Sequence, residues 1–279
     1  MLPNDQSASQ NTAITYAQQG YHLAAHAFTA TELETLIAEV EGRVGRYRSD
    51  ATVIEVGRKS VRSVYGGLES SALLQRLVRD ERLVGLAQQM LGDDVYVYQF
   101  KVNTKAPFVG DQWPWHQDYA FWAQLDEMPT PNAVSVTLYL DEVNEFNGPM
   151  YYVPGSHRAG LYACETSDDI GIDAAEATKR GSDVSSKLRF TMRRDVVTAL
   201  VADRGLQSAR ASRGSAFFFH PNLPHASGIN ISPYMRRQIF ITYNAVGNIP
   251  VQPPARAAYL VSRDTSPLAA AHPSALLGC

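Results

Sequence analysis

The sequence predicts an antiparallel β-sandwich or jelly roll with helices packed outside it. Three observations support this. Helix-periodic segments fill the first third of the chain, several short β-branched and aromatic segments follow from Val95, and Gly/Pro turn signals separate them. A chain of 279 residues has room for one large β-rich domain or two modest ones. We expect a disordered polar tail over 1–12 and a single domain over 13–279. In that domain, 13–94 is mostly helical, 95–250 is the jelly-roll core with an insertion at 164–212, and 251–279 is a C-terminal extension.

The elements follow in order. Thr29 and Glu32 have the spacing of a capping box, and Leu33, Leu36, Ile37 and Val40 recur at helical intervals behind them. A second helical region runs from about Ser71 to Leu91. Leu73, Leu74, Leu77 and Val78 form one face, Asp80 can restart the helix, and Leu83, Leu86 and Met90 continue it. From Val95 the character changes: Val95–Thr104, Val134–Asp141, Met150–Val153, Ser215–His220 and Gln238–Tyr243 read as strands. Asn147-Gly148-Pro149, Pro154-Gly155-Ser156 and Arg213-Gly214 supply turns between them. Residues 164–212 are polar and mixed in pattern, and an insertion of that length points to a lid or a mobile segment.

Composition excludes several function classes. Hydrophobic residues at 45% and charged residues at 19% are ordinary for a globular protein. A net charge of −3 gives no basic excess, so we expect neither a nucleic-acid nor an anionic-membrane partner. No apolar run approaches the roughly 20 residues needed to span a bilayer, and Met1–Thr12 lacks the features of a signal peptide. Cys164 and Cys279 cannot build a disulfide framework and form no Cys-x-x-Cys pair. We therefore expect a cytoplasmic protein.

One constellation carries chemistry. His116-Gln117-Asp118 closes a Trp/Pro-rich approach (Trp113-Pro114-Trp115). Residues i and i+2 of a strand point to one face, so an imidazole and a carboxylate can meet one metal ion there. A third ligand must come from elsewhere, and His225, in the loop after the apolar Ser215–His220 segment, is the candidate. Two histidines and a carboxylate leave three positions open on an iron(II), enough for a bidentate 2-oxo acid and O₂. A hydrogen-bonded structural His-Asp pair is the competing reading of the tripeptide alone. A 2-oxo diacid also needs a cation for its distal carboxylate. Arg236, at the start of the Gln238–Tyr243 strand, can point inward, whereas Arg237 faces the other way as a solvated strand-end charge.

Four segments, WHQDYAFW, EFNGPMYYVPGSH, FFHPNLPHASGINISPYMRRQIFITYN and SRDTSPL, resemble the phytanoyl-CoA dioxygenase-like family of Fe(II)/2-oxoglutarate-dependent oxygenases over roughly Gly20 to Leu268. The chain looks most similar to the bacterial small-metabolite branch of leucine 5-hydroxylase and ectoine hydroxylase. The resemblance implies a double-stranded β-helix (jelly roll, cupin-like) core, with iron ligands at His116, Asp118 and His225. It implies 2-oxoglutarate contacts from Arg236 and Ser227, with Asn103 and Gln99 on the neighbouring strand. Trp122 and Phe240 are expected to wall the substrate pocket. Arg62 is either a clamp for a substrate carboxylate or a surface strand arginine. His157 and His220 are expected to be structural. Related halogenases lack the carboxylate ligand, so Asp118 favours hydroxylation. The implied reaction consumes O₂ and 2-oxoglutarate, releases succinate and CO₂, and hydroxylates a free aliphatic L-amino acid. Ectoine, another cyclic amino acid or a natural-product intermediate is the alternative. Outside this class, an idle metal- or 2-oxoglutarate-binding sensor and a zinc hydrolase compete. Ser227 and Arg236 argue against the first, and the second leaves Arg236 unexplained.

Overall fold

A computed structural model of the chain describes residues 5–46, 50–55, 57, 59–165 and 188–278. Helix α1 (Asp5–Gln19) leads into strand β1 (Tyr21–Ala24), and α2 (Ala30–Arg46), β2 (Thr52–Ile54) and β3 (Val61–Tyr65) follow. Then come α3 (Ala72–Leu77), α4 (Val84–Leu91), β4 (Val95–Lys105), β5 (Trp113–His116), α5 (Asp118–Asp126), β6 (Ala133–Tyr139) and β7 (Met150–Tyr152). The chain closes with α6 (Arg194–Arg204), β8 (Gln207–Ser208), β9 (Ala216–Phe219), β10 (His225–Ser227) and β11 (Arg236–Ala245). A seven-stranded sheet in the order β1-β9-β6-β11-β4-β3-β2 and a four-stranded sheet in the order β5-β10-β7-β8 form a jelly roll, antiparallel throughout.

The period of two in each strand assigns the faces. Val134, Val136 and Leu138 of β6, with Ile239 and Ile241 of β11, pack outward against Leu33, Leu36, Val40, Leu74, Leu77 and Ala87 of the helices. Ser135 and Thr137 of β6 alternate with them, and Tyr139 joins an inner cluster with Met150, Tyr152, Phe217 and Phe219. Strand β4 carries one extra residue. Gln99 pairs with Thr242 and Val97 with Tyr243, so Tyr98 bulges and the strand's parity reverses there. Before the bulge Tyr96 and Tyr98 face the inner cluster around Trp122, and after it Gln99, Lys101 and Asn103 share the inward face.

The capping box is present. Glu32 accepts from the Thr29 backbone N–H at 2.7 Å and from its hydroxyl at 2.8 Å. The second helical region restarts at Asp80, whose backbone carbonyl accepts from Val84 N–H. Two expectations are corrected. Residues 5–12 lie in α1, not in a disordered tail; Asp5–Gln19 contains no proline or glycine to stop the helix. Residues 207–208, assigned to an insertion, pair with β7 and complete the smaller sheet. The middle of that insertion, 166–187, and the lid expected there lie outside the described residues. The C-terminal extension packs back on the body: Val261 and Leu276 are fully buried and Leu268 N–H bonds the Val95 carbonyl. Among the described residues no helix is long and apolar enough to cross a membrane.

Candidate active site

Strands β5 and β10 pair antiparallel with His116 opposite His225, which brings the two imidazoles to 4.1 Å between ring centroids. Strand β5 ends at His116, and Asp118 is the first residue of α5. Gln117 between them is extended (φ −122°, ψ 128°), so His116 and Asp118 still face the same way. The ligand atoms of His116, Asp118 and His225 all lie within 4.8 Å of one another. Asp118 Oδ1 is 3.6 Å from His116 Nε2 and 3.9 Å from His225 Nε2.

Backbone carbonyls orient both rings. His116 Nδ1 donates to Pro114 O at 2.7 Å and His225 Nδ1 donates to Leu223 O at 2.9 Å. With Nδ1 of each ring turned to a carbonyl, Nε2 is the nitrogen that faces a metal. Burial pushes His225 down to about 4, helped by His116. Burial alone would raise the Asp118 carboxyl, yet His116, His225 and Lys101 together hold it well below the ordinary carboxylate range. These two groups are therefore a neutral imidazole and a carboxylate near neutral pH, the forms that bind a metal.

The triad opens into a cavity that cationic side chains also line. Arg236 is buried at 2% exposure and donates through Nη1 to Gly148 O at 2.6 Å. Its Nε and the hydroxyl of Ser227 are buried polar groups with no hydrogen-bond partner among the described residues. An unsatisfied guanidinium N–H and an unsatisfied hydroxyl in one cavity are what a bound carboxylate would satisfy. Asn103 and Gln99 line the same cavity. Asn103 Oδ1 accepts from Ser63 Oγ at 2.7 Å, and Gln99 Nε2 donates to Leu260 O at 2.9 Å. Trp122 and Phe240 also line this cavity.

Arg62 is placed elsewhere. It is 2% exposed, bonds Glu55 at 2.9 Å and Gln112 O at 2.6 Å, and lies 3.8 Å over the Trp113 ring. Ser63 and Tyr65, paired with Asn103 and Lys101, take the cavity-facing positions of β3, which leaves Arg62 out of phase. It is neither a surface arginine nor part of the cavity lining, and its guanidinium rests on Trp113, which does line the cavity. Arg237 does face away from the cavity, paired with Asp141 at 2.7 Å and with Glu41. The His157 and His220 rings pack against each other in a tilted arrangement, 4.8 Å between centroids, outside the triad.

Two cavity cations escaped the sequence reading. Lys101 extends between the Phe240 and Tyr65 rings, 5.0 and 5.8 Å from their centroids, and burial lowers its pKa despite the nearby Asp118. The signal was available, because Lys101 lies midway between Gln99 and Asn103 on one face of a strand. Arg256 reaches the cavity from the C-terminal extension and pairs with Asp126, and no local pattern marks it.

Comparison with known proteins adds the decisive observation: the phytanoyl-CoA dioxygenase (PhyH) model matches residues 16–238. The chain belongs to the phytanoyl-CoA dioxygenase family. L-proline trans-4-hydroxylase of Streptomyces griseoviridis is 37% identical over 259 residues, covering 91% of this chain and 93% of that protein. Ectoine dioxygenase of Bordetella bronchiseptica is 35% identical over 245 residues, covering 86% of this chain and 76% of its own. The crystal structure of EctD from S. alaskensis with bound Fe superposes with a TM-score of 0.77 at 27% identity, covering 98% of this chain and 90% of EctD. The EctD structure with 2-oxoglutarate and 5-hydroxyectoine gives 0.79 at 26% identity over the same shares.

Proposed function

We propose that the protein is an Fe(II)/2-oxoglutarate-dependent dioxygenase that hydroxylates an unactivated C–H bond of a free L-amino acid. The observation that carries this is the convergence of His116, Asp118 and His225 on one point, with Arg236 and Ser227 lining the same cavity. The donor set fits iron: two imidazole nitrogens and a carboxylate oxygen, each ring oriented by a backbone carbonyl. His116, Asp118 and His225 would hold the metal, and Arg236 with Ser227 would hold the distal carboxylate of 2-oxoglutarate. Asn103 and Gln99 would contact the same co-substrate from β4.

Iron with 2-oxoglutarate and O₂ supplies the oxidation, in which 2-oxoglutarate becomes succinate and CO₂ and one oxygen atom enters the substrate. The chain's own residues do the rest. Arg236, desolvated and brought down to about 10 by burial, is still charged near neutral pH and grips an anion without competing water. Trp122 and Phe240 wall the substrate and limit the water around it. Lys101 takes the part expected of Arg62, because it is a cavity cation able to meet a substrate carboxylate. The amino-acid reading is supported by the likeness to L-proline trans-4-hydroxylase. Ectoine, a cyclic alternative, is favoured by the ectoine dioxygenase relatives.

The test is succinate release by Fe(II)-loaded protein given O₂, 2-oxoglutarate and a panel of free L-amino acids, L-proline included, plus ectoine. One panel member should give succinate in step with a product heavier by one oxygen atom, and Asp118→Ala should give neither. Full activity of Asp118→Ala would sink the triad assignment, and a panel in which no member gains oxygen would remove the proposed substrate class.

A further inference from the structure

Between the two ligand residues of one segment lies Gln117, a residue for which the reaction as proposed has no use. Its side chain is 1% exposed, and its extended backbone turns it away from the side on which His116 and Asp118 converge. The whole amide is engaged. Nε2 donates to Gly160 O at 2.8 Å and to Asn222 O at 2.7 Å, and Oε1 accepts from Tyr162 N–H at 2.8 Å. Both amide hydrogens and the carbonyl thus have partners.

Those partners belong to two other stretches of chain. Gly160 and Tyr162 follow the short 3₁₀ turn Ser156–Ala159. Asn222 sits in the loop that delivers His225, immediately before Leu223, whose carbonyl orients the His225 ring. The same loop is held to the start of α5 by Tyr119 N–H on Pro221 O at 3.1 Å. One buried amide therefore joins the segment carrying two ligands to the loop carrying the third.

We infer that Gln117 is a positioning residue for the metal site, fixing the His225 loop against the His116–Asp118 segment and so setting how the three ligand atoms converge. The inference rests on the reading of the triad as a metal site. Glutamine suits the role by its chemistry: glutamate lacks the donors, methionine lacks both functions, and asparagine is a methylene too short to span both stretches. Partners that orient ligands from outside the coordination sphere commonly change metal affinity by about 10- to 100-fold when removed.

The test is Co(II) binding, measured by titration calorimetry and by the visible absorption of the bound ion, on the full chain under anaerobic conditions without 2-oxoglutarate. Gln117→Met should weaken Co(II) about 10- to 100-fold and alter its absorption spectrum. Leu36→Ala, a cavity in the outer core of α2, should lower Tm while leaving Co(II) affinity and spectrum as in the wild type. That pairing separates positioning from a general loss of stability. Should Gln117→Met fail to fold, Gln117→Asn takes its place with the same expected weakening. A folded variant at position 117 with wild-type affinity and spectrum would overturn the inference. Failure of the wild-type chain to bind Co(II) would instead overturn the metal-site reading beneath it.

Discussion

Burial strips water from the Arg236 guanidinium and leaves its Nε without an acceptor, so any carboxylate that enters gains a charge-assisted bond at little cost in desolvating the arginine. Replacing the fork by a point charge should be costly even though the charge survives. Arg236→Lys should raise KM for 2-oxoglutarate about 10- to 100-fold, on the scale of one lost charged hydrogen bond. Steady-state kinetics at saturating amino acid checks this, and an unchanged KM would place the anchor elsewhere. The cluster of His116, Asp118 and His225 was legible in the sequence because its spacing is local (His116, Asp118) or follows an apolar strand (His225). Arg62 was not, because its role depends on Glu55 reaching it from β2's end and on which side of β3 it faces, and neither is written in the arginine's neighbourhood.

At the scale of elements, the Thr29–Glu32 cap does two jobs. It closes the first turn of α2, and Glu32 also bonds Arg82 at 2.7 Å, tying the helix to the approach to α4. Thr29→Ala removes the hydroxyl from this junction and should cost about 1 kcal/mol, as N-cap losses do. Thermal unfolding should show Tm lowered by about 2–4 °C with KM for 2-oxoglutarate unchanged. A wild-type Tm would show that Glu32 and Arg82 hold the helix start by themselves. Each predicted strand formed, because alternation and β-branched content are local signals. The bulge at Tyr98 was hidden, although it decides that Gln99, Lys101 and Asn103 face the cavity. Helix α1 was hidden too, since a polar, weakly amphipathic stretch reads like a tail when its sequence alone is considered.

Across the whole molecule, burial of histidines couples stability to pH. It pushes His220 down to about 3 and His225 down to about 4, and it lowers His157 as well. The unfolded chain titrates these groups near 6.5, so between about 4 and 6.5 it binds more protons than the fold does, and stability falls as pH falls. The metal-free protein should therefore lose Tm steadily from about pH 6.5 to about pH 4.5, as differential scanning calorimetry would record. A flat profile over that window would mean these histidines are solvated in the fold. The architecture that buries them was predictable from the order of helices and strands. The closure of the C-terminal extension over Asp126 through Arg256 was not, since it joins residues distant in sequence.

The most direct test of dioxygenase chemistry at this site is the fate of isotopically labelled O₂ during turnover of the Fe(II)-loaded protein with 2-oxoglutarate and the accepted amino acid. We predict one labelled atom in succinate and the other in the new hydroxyl group. Succinate without label, or a product formed equally well in the absence of O₂, would contradict the assignment of His116, Asp118 and His225 as an oxygenase iron site.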